Sequence, residues 1–323
     1  MRVIGRDFVR EHLTYPDAIR LVRAGMMALS NGQSIQPLRS ILRMAEGRMF
    51  GLMPGALGEW QEFGAKLVSV FPNNSAAGLQ SHQGGILIFE PETGKPVALV
   101  HAGEVTGIRT GAASAAATDA MARAEAEVLT LVGYGEQAVS HLHALADVRP
   151  FRTVWVTGRS PEKAEAFAAT QSRLTGLDVR AEPDIDRAVA QADILCTVTA
   201  SSEPVVKSEH VKPGTHINAV GSSYAGPVEI DNALVARSRF IADHRAGVLE
   251  QGAEFLSAKA DGLVDDAHVV GEIGQVYMGQ LAGRTSADEV TVYKSLGHIV
   301  QDLVCGQFLH DKAEELGLPE LDF

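Results

Sequence analysis

The spacing of apolar residues changes along the chain. Between residues 15 and 30, apolar side chains recur at helical spacing after Thr14, a helix cap, and Asn31-Gly32 ends the predicted helix. Segments Lys66–Phe71 and Gly85–Phe89 are rich in β-branched and aromatic residues, which favours strands. The alanine-rich segment Thr106–Ala122 then predicts a helix whose small side chains pack closely against a neighbour.

From about residue 124, segments with strand-like and helical patterns alternate. The predicted strands are Glu127–Val132, Thr153–Thr157, Asp193–Val198 and Thr215–Val220. The predicted helices are Glu136–Ala146 and Pro161–Gln171. This βαβ alternation is typical of a doubly wound parallel sheet, so the fold class is α/β with a Rossmann-type domain.

The chain has 323 residues, and a single hydrophobic core stops growing near this length. We therefore predict two domains. Residues 121–293 form the nucleotide-binding domain, and residues 1–120 together with 294–323 form a split α+β domain. The split follows from the tail between residues 295 and 316, which predicts one long helix returning to the first domain.

Composition narrows the class of partner. The net charge is −12, and no run of Lys or Arg forms the basic stripe that a duplex-binding face requires, so we expect no nucleic acid partner. The two cysteines, Cys196 and Cys305, provide neither a disulfide framework nor a metal-ligand spacing. No signal peptide or membrane-spanning segment is visible, and we expect a cytoplasmic protein.

A glycine turn follows directly after the strand that ends at Val132. In Gly133–Ala138, the first Gly permits a tight turn, Gly135 lets a phosphate approach the backbone, and Ala138 permits close packing of helix and strand. The N–H groups at the start of the next helix then face a pyrophosphate. Because the turn lies inside a βαβ unit, it predicts a dinucleotide site, although a glycine turn without a ligand is the alternative.

The type of dinucleotide is indicated after the second strand of this domain. An NAD site usually places an acidic residue there, whereas Gly158-Arg159-Ser160 offers a cation and a hydroxyl that suit a 2′-phosphate. We therefore favour NADP(H) over NAD(H); the alternative is that Arg159 is a solvated loop residue.

Candidates for a substrate site come from cations in apolar surroundings. Arg39, Lys66 and Arg109 each lie among apolar or small residues, and a buried cation needs an anionic partner. A substrate carboxylate suits this role, although each cation alone is more often part of a structural ion pair. His82 is a candidate proton donor, with a structural histidine as the alternative.

The strand that ends near Val220 is followed by Gly221-Ser222-Ser223, small residues that leave room for a nicotinamide ring. Ligands of parallel sheets bind beyond such carboxyl ends of strands. The sequence contains no Gly-x-Ser-x-Gly elbow, no Walker loop and no metal-ligand cluster.

Motifs along nearly the whole chain resemble those of the ornithine cyclodeaminase/mu-crystallin family. They are Met53-Pro54-Gly55, Gly64-Ala65-Lys66, Thr93–Leu99, Thr106–Ser114, Gly133–Ala138 and Asn218–Gly221. The resemblance implies a homodimer whose split first domain forms both the dimer interface and the substrate site. It also implies that Arg39, Lys66 and Arg109 hold a substrate carboxylate.

The chemistry within this family is indicated by a departure from its pattern. Ornithine cyclodeaminases and the family's alanine dehydrogenases carry an Asp two residues after the glycine that matches Gly221, whereas this chain has Ser223. Ser81-His82-Gln83 and Tyr293–Gly297 are similar to the ketimine reductase branch, and Gly158-Arg159-Ser160 is similar to that branch's NADPH pattern. The segment Tyr224–Glu229 differs from both reference patterns, so the substrate stays open.

We therefore predict NAD(P)H-dependent reduction of a C=N bond adjacent to a carboxylate, with cyclic ketimines or iminosuccinate as substrates. Cyclodeamination with recycled NAD, amino-acid dehydrogenation and a non-catalytic nucleotide-binding role are the alternatives. The predicted catalytic residues are Lys66, Arg109 and His82, and the predicted substrate-binding residues are Arg39, Lys66, Arg109 and Ser223. The predicted cofactor-binding residues are Gly133, Gly135, Glu136, Gln137, Ala138, Arg159, Ser160, Val220, Ser295 and Gly297.

Overall fold

The structure, a computed structural model, describes residues 1–72, 74 and 78–322. The chain divides into two compact units, the first of residues 1–109 and 298–323 and the second of residues 110–297. The assignment of substrate binding to the split unit and cofactor binding to the other stays a prediction. In the described part of the chain, no helix is long and apolar enough to cross a membrane.

The first unit contains a six-stranded sheet with strand order β1-β6-β5-β4-β3-β2. Its strands are β1 (Arg2–Ile4), β2 (Ser40–Arg43), β3 (Met49–Ala56), β4 (Phe63–Val70), β5 (His82–Phe89) and β6 (Pro96–His101). Neighbours from β2 to β6 pair antiparallel, and β1 pairs parallel with β6. The strands predicted at Lys66–Phe71 and Gly85–Phe89 are confirmed, and both begin three residues earlier than expected.

The first unit also contains the helices α1 (Arg6–His12), α2 (Tyr15–Ser30), the beginning of α3 (Ala102–Met121) and the C-terminal helix α11 (Ile299–Glu315). Helix α11 packs against the sheet, and α1 and α2 pack against α11. The predicted cap of α2 is confirmed, because Thr14 Oγ1 accepts a hydrogen bond from the backbone N–H of Asp17 at 3.3 Å. Its buried face consists of Ala18, Val22, Gly25, Met26 and Leu29. Helix α11 lies in the first unit.

The second unit contains an eight-stranded parallel sheet with order β13-β12-β14-β11-β10-β7-β8-β9. Its strands are β7 (Val128–Val132), β8 (Thr153–Thr157), β9 (Val179–Ala181), β10 (Ile194–Thr197), β11 (His216–Ala219), β12 (Arg239–Ala242), β13 (Val269–Glu272) and β14 (Thr291–Lys294). The connecting helices are α4 (Glu136–Ala146), α5 (Pro161–Thr175), α6 (Ile185–Gln191), α7 (Asn232–Arg237), α8 (Arg245–Gln251), α9 (Ala253–Ala260) and α10 (Ile273–Tyr277). This topology confirms the predicted doubly wound α/β fold.

Central strands of this sheet are buried on both faces, as is typical of parallel sheets. All five residues of β7 are buried, as are all four residues of β10 and of β11. In a parallel sheet the carboxyl ends of neighbouring strands lie along one edge. The ends of β7, β10, β11 and β14 are consecutive along this edge, and the loops that follow them carry most of the predicted cofactor residues.

Candidate active site

Two predicted cations of the first unit share one buried carboxylate. Lys66 Nζ lies 2.7 Å from Oδ2 of Asp302, and Arg109 Nε donates to Oδ1 of the same residue at 3.0 Å. A second hydrogen bond, of 2.9 Å, joins Arg109 Nη1 to Oε1 of Gln301. Lys66 and Arg109 are only 3% and 4% exposed, and Asp302 is fully buried, so each charge depends on these partners.

Strand alternation and helix position bring the three groups together. Lys66 lies opposite Met53 of β3 and Ile86 of β5, and all three side chains are on the inner face of the sheet. Asp302 occupies the first turn of α11, where a negative charge is favoured by the helix dipole. Arg109 lies near the middle of α3.

Two cations and one carboxylate leave this cluster with a positive charge. Burial lowers the pKa of Lys66 to about 8; Arg109 and Arg39 act in the same direction, and Asp302 opposes them. Although burial alone would raise the pKa of Asp302, Arg109 and Lys66 hold it below its usual range. At neutral pH the cluster therefore carries two positive charges and one negative charge, and it suits a second, external carboxylate.

The segment that carries Arg39 is attached to the start of α11. Gln36 Nε2 is hydrogen-bonded to Nδ1 of His298, and the N–H of Val300 donates to Oε1 of Gln36 at 3.4 Å. Arg39 itself is half-buried, and its charge contributes to the lowered pKa of Lys66. The first unit therefore places Arg39 within electrostatic range of the cluster.

His82 is the first residue of β5 and pairs with Val70 of the neighbouring strand β4. Its side chain is exposed, yet the surrounding protein partly desolvates the ring. This desolvation, together with Lys66 and Arg109, lowers the pKa of His82 to about 4. The imidazole is therefore neutral at pH 7, which suits a hydrogen-bond partner better than the proton donor that the sequence suggested.

In the second unit, the glycine turn has the geometry that a phosphate needs. Gly133 has φ of +119°, and a Cβ there would lie 2.8 Å from the carbonyl oxygen of Val198, so only glycine fits. Gly135 caps α4, and a Cβ there would meet no atom within 4 Å. Glu136 and Gln137 begin the helix, and Ala138, in its first turn, is buried. The open backbone at this helix start fits a dinucleotide pyrophosphate.

The loop after β8 is held by the residue between the two glycines. A Cβ at Gly158 would lie 2.5 Å from Cε1 of the Tyr134 ring. The Tyr134 hydroxyl accepts a hydrogen bond from the N–H of Ser160 at 3.1 Å. Ser160 Oγ donates to Glu162 at 2.8 Å. Arg159 is exposed. Of the two residues predicted to hold a 2′-phosphate, Ser160 thus forms hydrogen bonds within the protein, whereas the Arg159 side chain is exposed to solvent.

The remaining predicted cofactor residues follow β11 and β14. Val220 is 8% exposed, and Ser223 is half-buried and supplies no carboxylate. Ser295 is buried, and its N–H donates to the carbonyl of Ala219 at 3.1 Å, which joins the two strand ends. The N–H of Gly297 donates to Asp243 Oδ2 at 2.9 Å.

The described residues contain no group of His, Cys, Asp or Glu side chains that could hold a metal ion. A profile of the ornithine cyclodeaminase/mu-crystallin family matches residues 3–317. The chain belongs to this family. The resemblance inferred from the motifs is therefore confirmed.

Relatives within the ornithine cyclodeaminase/mu-crystallin family include two named reductases. The chain is 32% identical over 322 residues to a Δ1-pyrroline-2-carboxylate reductase of Bacillus cereus, covering 99% of each chain. It is 34% identical over 282 residues to the ketimine reductase mu-crystallin of Mus musculus, covering 87% of this chain and 86% of the relative. Among solved structures, Δ1-pyrroline-2-carboxylate reductase of Thermococcus litoralis, in complex with NADH and L-proline, matches with a TM-score of 0.96, 30% identity and full coverage of both chains.

Sequence reasoning did not identify the buried carboxylates on which the site depends, Asp302 and Glu229 among them. Asp302 falls on the apolar face of α11, at helical spacing from the buried residues Ile299 and Leu309. A charged residue on such a face needs a partner, so the spacing could have pointed to it. Glu229 lies in an irregular segment after β11, where no periodicity indicates burial.

Proposed function

We propose that this chain uses NAD(P)H to reduce a C=N bond adjacent to a carboxylate. Cyclic ketimines such as Δ1-pyrroline-2-carboxylate or Δ1-piperideine-2-carboxylate, giving L-proline or L-pipecolate, are the preferred substrates. The observation that carries the proposal is the buried cluster of Lys66, Arg109 and Asp302, because its unbalanced positive charge suits a substrate carboxylate. The L-proline bound to the Thermococcus litoralis relative supports this substrate class.

In the proposed reaction, Arg109 and Lys66 bind the carboxylate and thereby orient the imine carbon, while Arg39 adds a third positive charge. Bound NAD(P)H supplies the hydride that this carbon accepts. A protonated imine needs no further proton at that step. A neutral imine requires a donor, and Lys66, with its pKa lowered to about 8, matches that task better than neutral His82.

Ser223 favours reduction over cyclodeamination. The cyclodeamination expected of some family members uses a carboxylate at this position, and a serine hydroxyl cannot replace it as a base or as the partner of an ammonium group. Incubation with L-ornithine and a catalytic amount of NAD⁺ tests the point. We expect no ammonia; ammonia release without net cofactor turnover would contradict the reductase proposal.

We further propose that NADP(H) is preferred over NAD(H), on the basis of the exposed Arg159 in the loop after β8. Arg159→Asp should lower kcat/KM for NADPH and favour NADH, because a carboxylate repels a 2′-phosphate and accepts from a 2′-hydroxyl. Arg173→Asp, on an exposed position near the other end of α5, is the matched control. Equal use of both cofactors, unaffected by Arg159→Asp, would overturn this preference.

A homodimer is the proposed assembly, supported by an apolar face of the first unit. Leu42 pairs opposite Phe50, and Leu52 pairs opposite Leu67, so the four side chains share the sheet face away from Lys66. They are 62%, 39%, 38% and 37% exposed, respectively. A contiguous exposed patch of this kind is typical of an interaction surface.

A further inference from the structure

The ends of β10 and β11 are joined by one buried carboxylate. Glu229 Oε2 accepts hydrogen bonds of 2.7 Å from both Thr197 Oγ1 and the N–H of Gly221. Its Oε1 accepts from the N–H of Thr199 at 2.6 Å and from the hydroxyl of Thr199 at 2.8 Å. Four donors from two neighbouring strand ends therefore converge on one side chain, which is fully buried.

Through its backbone, Glu229 is also connected to the end of β14. The N–H of Glu229 donates to Glu254 Oε1 at 3.3 Å, and Glu254 Oε2 lies 2.8 Å from Nζ of Lys294, the last residue of β14. Lys294 Nζ also donates to the carbonyl oxygen of Ser222 at 2.6 Å. We call Glu229, Glu254 and Lys294 the strand-end network; all three are fully buried.

Close packing makes the loop after β11 dependent on this network. A Cβ at Gly221 would lie 2.1 Å from the carbonyl oxygen of Thr199 and 2.5 Å from Oε1 of Glu229. The absence of a side chain at Gly221 is therefore required by the carboxylate and the neighbouring loop, in addition to any room it leaves for a nicotinamide. The position of this loop is therefore set by its contacts with Glu229 and Thr199.

We propose that Glu229 is a positioning residue whose side chain fixes the ends of β10 and β11 for the nicotinamide half of the cofactor. Ligands of parallel sheets bind beyond these carboxyl ends, whereas the pyrophosphate belongs at Gly133–Ala138. Glu229 is buried and does not contact the cofactor itself. The proposal rests on the nicotinamide-dependent activity proposed above, but it concerns cofactor binding and does not require that the substrate is an imine.

Glutamine cannot replace Glu229, although it has nearly the same shape. Each carboxylate oxygen accepts from a backbone N–H, that of Gly221 on one side and that of Thr199 on the other. The amide group of glutamine presents one oxygen and one NH₂ group. In either orientation the NH₂ group faces a backbone N–H that cannot accept, so one strand end loses its attachment.

The test compares ligands that fill different parts of the site. Binding of NADPH and NADH, and of the adenine-side fragments 2′-phospho-ADP-ribose and ADP-ribose, is measured by calorimetry on the full-length wild type, Glu229→Gln and Glu203→Gln. Glu203 is an exposed glutamate in the loop after β10, so its variant makes the same charge change without touching the network. Losing a buried hydrogen bond to a charged group should raise the Kd of the intact cofactor about tenfold or more in Glu229→Gln.

The proposal predicts that the fragments bind Glu229→Gln as tightly as they bind the wild type, because they lack the nicotinamide. Parallel weakening of fragments and intact cofactor, or no weakening of either, would overturn it. If Glu229→Gln does not fold, Thr197→Val provides the test. Valine has nearly the volume of threonine, and the change removes only the hydroxyl that donates to Glu229. It should weaken binding of the intact cofactor and leave binding of the fragments unchanged. If the wild type binds the cofactor but reduces no imine, the proposed function is contradicted, whereas the comparison of wild type with Glu229→Gln still tests this inference.

Discussion

Replacement of Arg109 by alanine tests most specifically the proposal that the cluster of Lys66, Arg109 and Asp302 binds a substrate carboxylate. The change removes the Nε–Oδ1 hydrogen bond of 3.0 Å to Asp302 and the 2.9 Å hydrogen bond to Gln301. Asp302 keeps Lys66 at 2.7 Å, so the buried carboxylate is not left without a counter-ion. The substrate carboxylate of the proposed reaction, in contrast, would lose a planar, charged hydrogen-bond donor.

The magnitude follows from the burial of Arg109, which is 4% exposed. Truncating one partner of a buried, hydrogen-bonded charge pair costs about 2–5 kcal/mol, which corresponds to a factor of roughly 30 to several thousand in kcat/KM. Arg109→Lys should lie between wild type and Arg109→Ala, because lysine keeps the charge and lacks the fork.

The assay is kcat/KM for Δ1-pyrroline-2-carboxylate at pH 7, with thermal unfolding and cofactor Kd measured on the same samples. Arg20→Ala is the control, since Arg20 forms an exposed pair with Asp17 in the same unit and such pairs contribute little. A folded Arg109→Ala enzyme whose kcat/KM stays within about threefold of wild type, a change below ~1 kcal/mol, would refute the carboxylate-binding role.

Three further predictions concern charge, stability and assembly. The pKa of Lys66 is lowered to about 8, so its side chain is protonated below pH 8 and loses its charge as the pH rises. Affinity for furan-2-carboxylate, whose ring does not titrate, should therefore fall above pH 8. An affinity that does not change with pH would contradict this. Asp302→Asn leaves two buried cations without their counter-ion and should lower the free energy of unfolding in urea by about 3–5 kcal/mol, whereas exposed Asp311→Asn on the same helix should change it little. Phe50→Glu should convert a dimer into monomers in light scattering, and exposed Trp60→Glu should not; a dimer that survives Phe50→Glu would argue against this interface.

Local sequence patterns were sufficient for the elements around the cofactor turn. Helix Glu136–Ala146 and strand Thr153–Thr157 have the predicted bounds, because apolar periodicity, caps and glycine punctuation agree there. Later strands of the same sheet, β12 and β13, were not predicted. Their four-residue segments are short, and their positions depend on pairing with β14 and with each other rather than on a local signal.

Chemistry in the candidate site depended on contacts between residues far apart in the sequence. Residue type and apolar surroundings identified Lys66 and Arg109, but neither property shows that they share a counter-ion. That information lies in Asp302, on the last helix of the chain, and only the return of α11 to the first sheet brings it to them. Glu229 escaped prediction for a similar reason, because its donors come from the ends of two other strands.

The most direct measurement for the central claim is oxidation of NADPH and NADH in the presence of Δ1-pyrroline-2-carboxylate, Δ1-piperideine-2-carboxylate or iminosuccinate, with the amino-acid product quantified. We predict that one reduced cofactor is consumed for each molecule of L-proline, L-pipecolate or aspartate formed. Tight cofactor binding without oxidation by any of these imines would contradict the reductase account and favour a non-catalytic nucleotide-binding protein.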